Sequence, residues 1–107
     1  MKHDEMKHYL LIYDTAPDYL ERRANWREAH LRLAWAAHDR GELLLGGAVG
    51  DPIDRAILFF QGDSPEAAER FAREDPYVRE GLIQSWRVCP WTTVVGATAA
   101  TPVRPQS

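Results

Sequence analysis

The sequence has little cysteine, no long apolar run and no excess of positive charge. Cys89 is the only cysteine among 107 residues, so no disulfide can form within the chain, and we expect a reducing, cytoplasmic location. No stretch approaches the roughly 20 apolar residues that cross a bilayer, which argues against a membrane partner. The formal net charge is −3, and this argues against a nucleic-acid partner, which favours a clustered basic face.

Motifs for metals and nucleotides are also missing. The four histidines include no pair at the i, i+3 or i, i+4 spacing of a helical metal site. Gly46 and Gly47 are not followed by a dinucleotide fingerprint or a phosphate-loop lysine. These glycines are instead expected to let the backbone turn or approach a ligand closely. The sequence therefore predicts neither a metal nor a nucleotide cofactor.

Length and composition predict one small domain with loose ends. A chain of 107 residues, 45% of them hydrophobic, holds a single core. We expect the folded domain to span residues 7–96. Residues 1–6 are predicted to be a disordered extension, in which Met6 is a candidate natural start. Residues 97–107, rich in Ala, Thr and Pro, are predicted to be a flexible tail.

Four strand-like segments and two helix-like segments make up this domain. The predicted strands are residues 8–13, 43–45, 55–61 and 83–95, and the predicted helices are residues 18–40 and 64–74. The short connection around residues 51–54 predicts a hairpin, and Pro90 indicates an edge strand or a bulge. The order β-α-β-β-α-β predicts an α+β, ferredoxin-like fold, with both helices on one face of a four-stranded antiparallel sheet. A second copy would cover the other face, so we expect a homodimer.

The first predicted helix places a histidine and an arginine together. Its apolar periodicity defines one face, which consists of Leu20, Ala24, Arg27, Leu31, Ala34, Trp35 and His38. Arg27 lies on this face and His30 on its flank, so a guanidinium and an imidazole project together. Histidine changes protonation near neutral pH, which suits proton transfer. The alternative is a boundary histidine whose ring bonds to a backbone carbonyl.

Asp75 also has two interpretations. Aspartate before proline is a common way to end a helix, because the residue before proline avoids helical geometry. A carboxylate at this place would equally orient a histidine on the neighbouring helix and make it more basic. Both helices are predicted on the same face of the sheet, so His30 and Asp75 are candidates for contact. Tyr13 and Tyr77 are expected to be packed, with hydroxyls that are candidates for the ligand side.

Five short motifs share their order and spacing with a known family. In chain order they are Arg27-x-x-His30-Leu31, Gly46-Gly47, Asp75-Pro76-Tyr77, Gly81-Leu82 and Pro90-Trp91. Over roughly residues 8–96 the chain resembles the YciI-like family, which carries the YCII-related domain. The resemblance implies a ferredoxin-like fold that dimerises into an α/β barrel, with no cofactor and no metal. It also implies a catalytic His–Asp pair in a cleft, which falls on His30 and Asp75.

The resemblance implies chemistry on a small molecule. We expect a cofactor-free lyase, of the dehydrochlorinase type, or an isomerase that acts on a hydroxylated aromatic or cyclic metabolite. Arg27, Gly46, Gly47 and Tyr77 are the expected substrate-binding residues. Two alternatives remain open, since fold alone does not determine function. One is a non-catalytic small-molecule-binding or assembly module, and the other is a cofactor-free monooxygenase.

Overall fold

A computed structural model describes residues 6–105, which form an antiparallel sheet with helices on one face. The elements are β1 (Lys7–Thr15), α1 (Tyr19–Asp39), β2 (Leu43–Gly50), β3 (Ile53–Gly62), α2 (Glu66–Glu74), α3 (Pro76–Arg79) and β4 (Ile83–Trp91). The strand order is β2-β3-β1-β4, and every neighbouring pair is antiparallel. The predicted ferredoxin-like fold is confirmed, and the short helix α3 is added to it. No helix of the described residues is long and apolar enough to cross a membrane.

The core lies between the sheet and the helices. Successive side chains of a strand point to opposite faces, so β1 buries every second residue: Tyr9, Leu11 and Tyr13. In β3, Phe60 and Leu58 lie opposite Tyr9 and Leu11. The helices complete this core with the small or aromatic side chains Ala37, Ala68, Phe71, Ala72 and Tyr77. A buried carboxylate, Asp75, lies among them with no exposed surface.

Helix α1 buries a different face from the predicted one. The side chains that it packs wholly or partly into the core are Tyr19, Trp26, Leu33, Ala34 and Ala37. On the predicted face, Leu31 and Trp35 are 39% and 62% exposed. Leu20, also on the predicted face, is 48% exposed. The prediction was wrong for these three residues because α1 carries apolar side chains on two sides. Periodicity alone does not say which side faces the sheet.

Two strands end elsewhere than predicted. Strand β2 continues through Gly46 and Gly47, which pair with Leu58 and Ile57 of β3. Its glycines therefore lie within the strand, because ladder hydrogen bonds use backbone groups and need no side chain. Strand β4 ends at Trp91, short of the predicted limit. Because β4 is an edge strand, Pro90 is accommodated there as expected.

The ends of the chain were predicted to be loose. Most of the predicted extension, residues 1–5, lies outside the described residues. In the C-terminal segment, the backbone N–H of Thr101 donates to the carbonyl of Thr93, and that of Val103 donates to the carbonyl of Val94. These bonds fold the segment back along the residues that follow β4. Whether the tail is flexible stays a prediction.

Candidate active site

A cleft of about 330 Å³ opens between helix α1 and strand β2. Strand β2 supplies a wall of small residues, Gly46, Gly47 and Ala48, so the backbone itself borders the cavity. The residues expected to form the site lie together here: His30, Arg27, Gly46, Gly47 and Tyr77 all line the cleft. Asp75 lies directly behind His30. The roles assigned to these residues stay predictions.

His30 and Asp75 are in direct contact. The ring Nδ1 of His30 lies 2.9 Å from Oδ1 of Asp75 and 3.0 Å from Oδ2. An ionised carboxylate only accepts hydrogen bonds, so Nδ1 is the nitrogen that carries the proton and donates it. In the neutral ring the lone pair is then on Nε2. Because His30 lines the cleft, Nε2 is the nitrogen that this arrangement makes available to a bound molecule.

The position of Asp75 follows from the local sequence. The residue precedes Pro76 and has extended backbone angles, φ −68° and ψ 123°, so α2 stops there. Its side chain turns back and accepts the backbone N–H of Tyr77 at 3.0 Å, which caps α3. Both interpretations of Asp75 therefore describe the same carboxylate. It ends one helix, caps the next and bonds to His30.

Tyr13 is a third partner that the sequence did not reveal. Its hydroxyl donates to Oδ2 of Asp75 at 2.7 Å, from the middle of β1. Tyr13 is packed as expected, and its hydroxyl, which was a candidate for the ligand side, bonds to the carboxylate. Burial raises the pKa of Tyr13, and the adjacent charge of Asp75 and the hydrogen bond raise it further. A buried tyrosine hydroxyl needs a partner, which was the available signal, although it does not say which partner.

Two aromatic rings fix the plane of the His30 imidazole. The ring of Tyr77 stacks on it, with centroids 3.9 Å apart and an interplanar angle of 7°. The ring of Phe71 meets the imidazole edge-on, with centroids 6.3 Å apart. Tyr77 is itself buried, and burial raises its pKa to about 12. His30 is therefore held by a hydrogen bond at one nitrogen and by packing on its face, which limits its rotation.

The remaining chemistry of the site is simple. No group of three or more His, Cys, Asp and Glu side chains within residues 6–105 is arranged to hold a metal ion. Arg27 lies one turn before His30 on α1 and lines the cleft, where its guanidinium can meet an anion. The site thus offers an oriented imidazole, a cation and an apolar wall.

Comparison with known proteins identifies the family of the chain. The family model of the YCII-related domain matches residues 6–92. The chain belongs to this family. Protein YciI of Escherichia coli O6:H1 is 34% identical over 95 residues, which cover 80% of this chain and 97% of that protein. Protein YciI of Shigella flexneri matches with the same identity and coverage. The resemblance that the five motifs indicated is confirmed.

A solved structure shares the fold of this YCII-related chain. It is the 5-chloro-2-hydroxyhydroquinone dehydrochlorinase TftG of Burkholderia phenoliruptrix AC1100, in complex with 2,5-dihydroxybenzoquinone. The TM-score is 0.66, and the match covers 80% of this chain and 94% of that chain. The two sequences are 20% identical, so the similarity is one of fold.

The bond from Tyr13 to Asp75 predicts a specific loss of stability. Tyr13→Phe keeps the ring and removes one of the donors to a fully buried carboxylate. The free energy of unfolding should fall by about 1–3 kcal/mol, as for a buried group that loses its partner. Urea unfolding measures this change. Tyr9→Phe, on the same buried side of β1, is the matched control and should change stability by about 0.5 kcal/mol or less. Equal losses in the two variants would contradict the assignment.

The raised pKa of Tyr77 predicts how stability depends on alkaline pH. The pKa of Tyr77 in the folded state, about 12, exceeds the ordinary value of 10. The folded state therefore holds this proton more tightly than the unfolded state does, and this difference stabilises the fold while the hydroxyl is neutral. This contribution is complete below pH 10 and is lost as pH rises from about 10 to 12. The wild type should lose about 2 kcal/mol more than Tyr77→Phe across that window, measured by urea unfolding at several pH values. If the free energy of unfolding changes with pH in the same way in both proteins, this prediction is wrong.

Proposed function

We propose that the protein is a cofactor-free acid–base enzyme, of the lyase or isomerase type, on a small hydroxylated ring compound. The observation that carries the proposal is the contact of His30 with the buried carboxylate of Asp75, 2.9 Å away, at the edge of a cleft. The fold shared with a dehydrochlorinase supports the reaction type, and the ring compound in that structure supports the substrate class.

In this proposal, Nε2 of His30 removes a proton from the substrate. In an elimination from a chlorinated hydroquinone, a hydroxyl proton first moves to the ring carbon that carries chlorine, which leaves a ketone. Nε2 then takes the proton of a second hydroxyl, whose O–H electron pair forms C=O, the adjacent ring double bond shifts, and chloride departs with the electrons of the C–Cl bond. In an isomerisation the imidazolium instead returns the proton to another atom of the substrate. Asp75 stabilises the imidazolium in both cases, because an adjacent negative charge favours the protonated ring. The substrate oxygen that becomes negative is bound by Arg27.

The His30–Asp75 pair makes a kinetic prediction. With 5-chloro-2-hydroxyhydroquinone as the first substrate to test, we expect the wild type to release chloride. His30→Gln should lower kcat about 10²–10⁴-fold, the usual contribution of a general acid or base. Asp75→Asn should lower it too, and the double variant should be no slower than His30→Gln, because residues that act as a unit are not additive. A chloride electrode measures the rates.

Two outcomes would contradict this mechanism. If His30→Gln keeps the wild-type rate, proton transfer by His30 is wrong. If no chloride is released while 2,5-dihydroxybenzoquinone binds equally to the wild type and to His30→Gln, the protein is a binding module. Consumption of oxygen with a quinol substrate would indicate a monooxygenase instead. Circular dichroism of each variant checks that the fold is intact.

We also propose that two copies pair through the open face of the sheet. This face carries the apolar side chains Leu10, Ile12, Ile57, Phe59 and Trp91, which alternate with the residues of the core. Trp91 is 44% exposed, and its ring meets Phe59 edge-on at 5.1 Å. An apolar sheet face of this kind is costly in water, and a second copy covers it with an identical face.

Dimerisation has a direct test. The wild type should elute with twice the mass of the chain in size-exclusion chromatography with light scattering. Phe59→Lys should shift the mass toward that of a single chain, because it places a charge in the centre of the proposed interface. Leu20→Lys is the control, since Leu20 is 48% exposed on α1 and lies away from the sheet. A wild type that stays a single chain at micromolar concentration would contradict the proposal.

A further inference from the structure

The cleft differs in charge from the chain as a whole. The chain has a formal net charge of −3, yet within residues 6–105 no aspartate or glutamate lines the cleft. The permanently charged side chains that line it are Arg23 and Arg27. Both belong to α1. The two positive charges therefore border a cavity whose described lining carries no negative charge to neutralise them.

Neighbouring arginines on the same helix are paired, and these two are not. A guanidinium nitrogen of Arg22 lies 3.7 Å from a carboxylate oxygen of Asp18, and one of Arg32 lies 2.7 Å from a carboxylate oxygen of Glu28. Across residues 6–105, no carboxylate comes within 4.0 Å of the guanidinium groups of Arg23 and Arg27. Residues four apart share a helix face and are separated by about 6 Å along the axis. The two guanidinium groups are thus free to bind one anion between them.

Aromatic packing connects Arg23 to the reactive histidine. The guanidinium carbon of Arg23 lies 5.7 Å from the ring centroid of Tyr19, in a cation–π contact. The ring of Tyr19 meets that of Tyr77 edge-on, with centroids 5.7 Å apart, and the ring of Tyr77 stacks on the imidazole of His30. Burial raises the pKa of Tyr77, and the charges of Arg27 and Arg23 oppose that rise, so both cations act on this region. Arg23 is therefore held against the site.

The chemical character of the lining residues also changes from one end of the cleft to the other. Along α1 the lining residues change from Arg23 and Arg27, through His30, to Leu31 and Trp35, and end at His38, whose Nδ1 bonds to the carbonyl of Leu43. One end of the cavity is cationic and the other is mainly apolar, with the imidazole of His30 between them. A bound molecule that matches this order has an anionic group at one end and an apolar part at the other.

We propose that Arg23 and Arg27 form a carboxylate-binding subsite, and that the natural substrates are ring compounds that carry a carboxylate. The proposal rests on the proposed function only in placing the reacting atom at His30. Arg27 and Arg23 precede His30 by three and seven residues, so the helical rise of about 1.5 Å per residue places the carboxylate about 5–10 Å from the reacting atom. Arginine suits this role because its planar fork of donors matches the two carboxylate oxygens. Arg23 is thus a binding residue that determines specificity.

Two probes of nearly equal shape test the subsite. In 4-hydroxyphenylacetate a carboxylate follows the ring, whereas in 4-hydroxyphenylacetamide a neutral amide replaces it. Titration calorimetry with the full chain should show that the wild type binds the acid at least about tenfold more tightly than the amide. Arg23→Gln and Arg27→Gln should each remove most of this preference. The preference should also decrease as salt increases.

Arg32→Gln is the matched control, because it removes the same charge from the same helix outside the cleft. It should keep the preference for the acid. His30→Gln should keep it as well, since the subsite does not depend on proton transfer, and this separates the inference from the proposed mechanism. The inference is overturned if Arg23→Gln retains the preference, or if the wild type binds the two probes equally or binds neither. None of these results bears on chloride release from 5-chloro-2-hydroxyhydroquinone.

Discussion

The hydrogen bonds to the buried carboxylate of Asp75 are the interaction on which the rest of the structure depends. A charge with no exposed surface is tolerated only when donors surround it, and Asp75 has three. They come from Tyr13 in β1, from His30 in α1 and from the backbone of Tyr77 in α3. The carboxylate thereby joins the sheet to helices α1 and α3. Because one of its three donors is an imidazole, the same bonds that satisfy the buried charge also orient His30.

This constraint explains how a small fold builds a cleft with an oriented histidine. Helix α1 packs on the sheet through Tyr19 and Ala37, and its neighbouring apolar side, which includes Leu31, borders the cleft. The glycines of β2 form the opposite wall without side chains to fill it. Helix α1 and strand β2, which are adjacent in sequence, thus form two walls of the cavity, and residues of β1, β3 and α3 complete its lining. His30 reaches it from the side of the helix that faces the buried carboxylate.

Much of the fold was predictable, but the detail of the site was less so. The short apolar run of β1, proline and aspartate at the helix ends, and the spacing of the motifs were enough to predict the order of the elements and to select His30 and Asp75. The buried side of α1 was not predictable, because its apolar residues occupy two sides. Strand β2 was predicted only over residues 43–45, because Gly46 and Gly47 have no side chains to show that it continues. The bond from Tyr13 to Asp75 joins residues 62 positions apart in the chain, and no local pattern encodes such a contact.

The most direct test of the central claim is the protonation state of the two ring nitrogens of His30, read by ¹⁵N NMR at a pH where the ring is neutral. The contact with Asp75 predicts a proton on Nδ1 and a free lone pair on Nε2 in the wild type. In Asp75→Asn the ring should no longer hold this single tautomer. His38, whose Nδ1 bonds to the carbonyl of Leu43 at 2.8 Å, serves as the internal control and should not change. A wild-type proton on Nε2, or identical His30 signals in the two proteins, would contradict the claim.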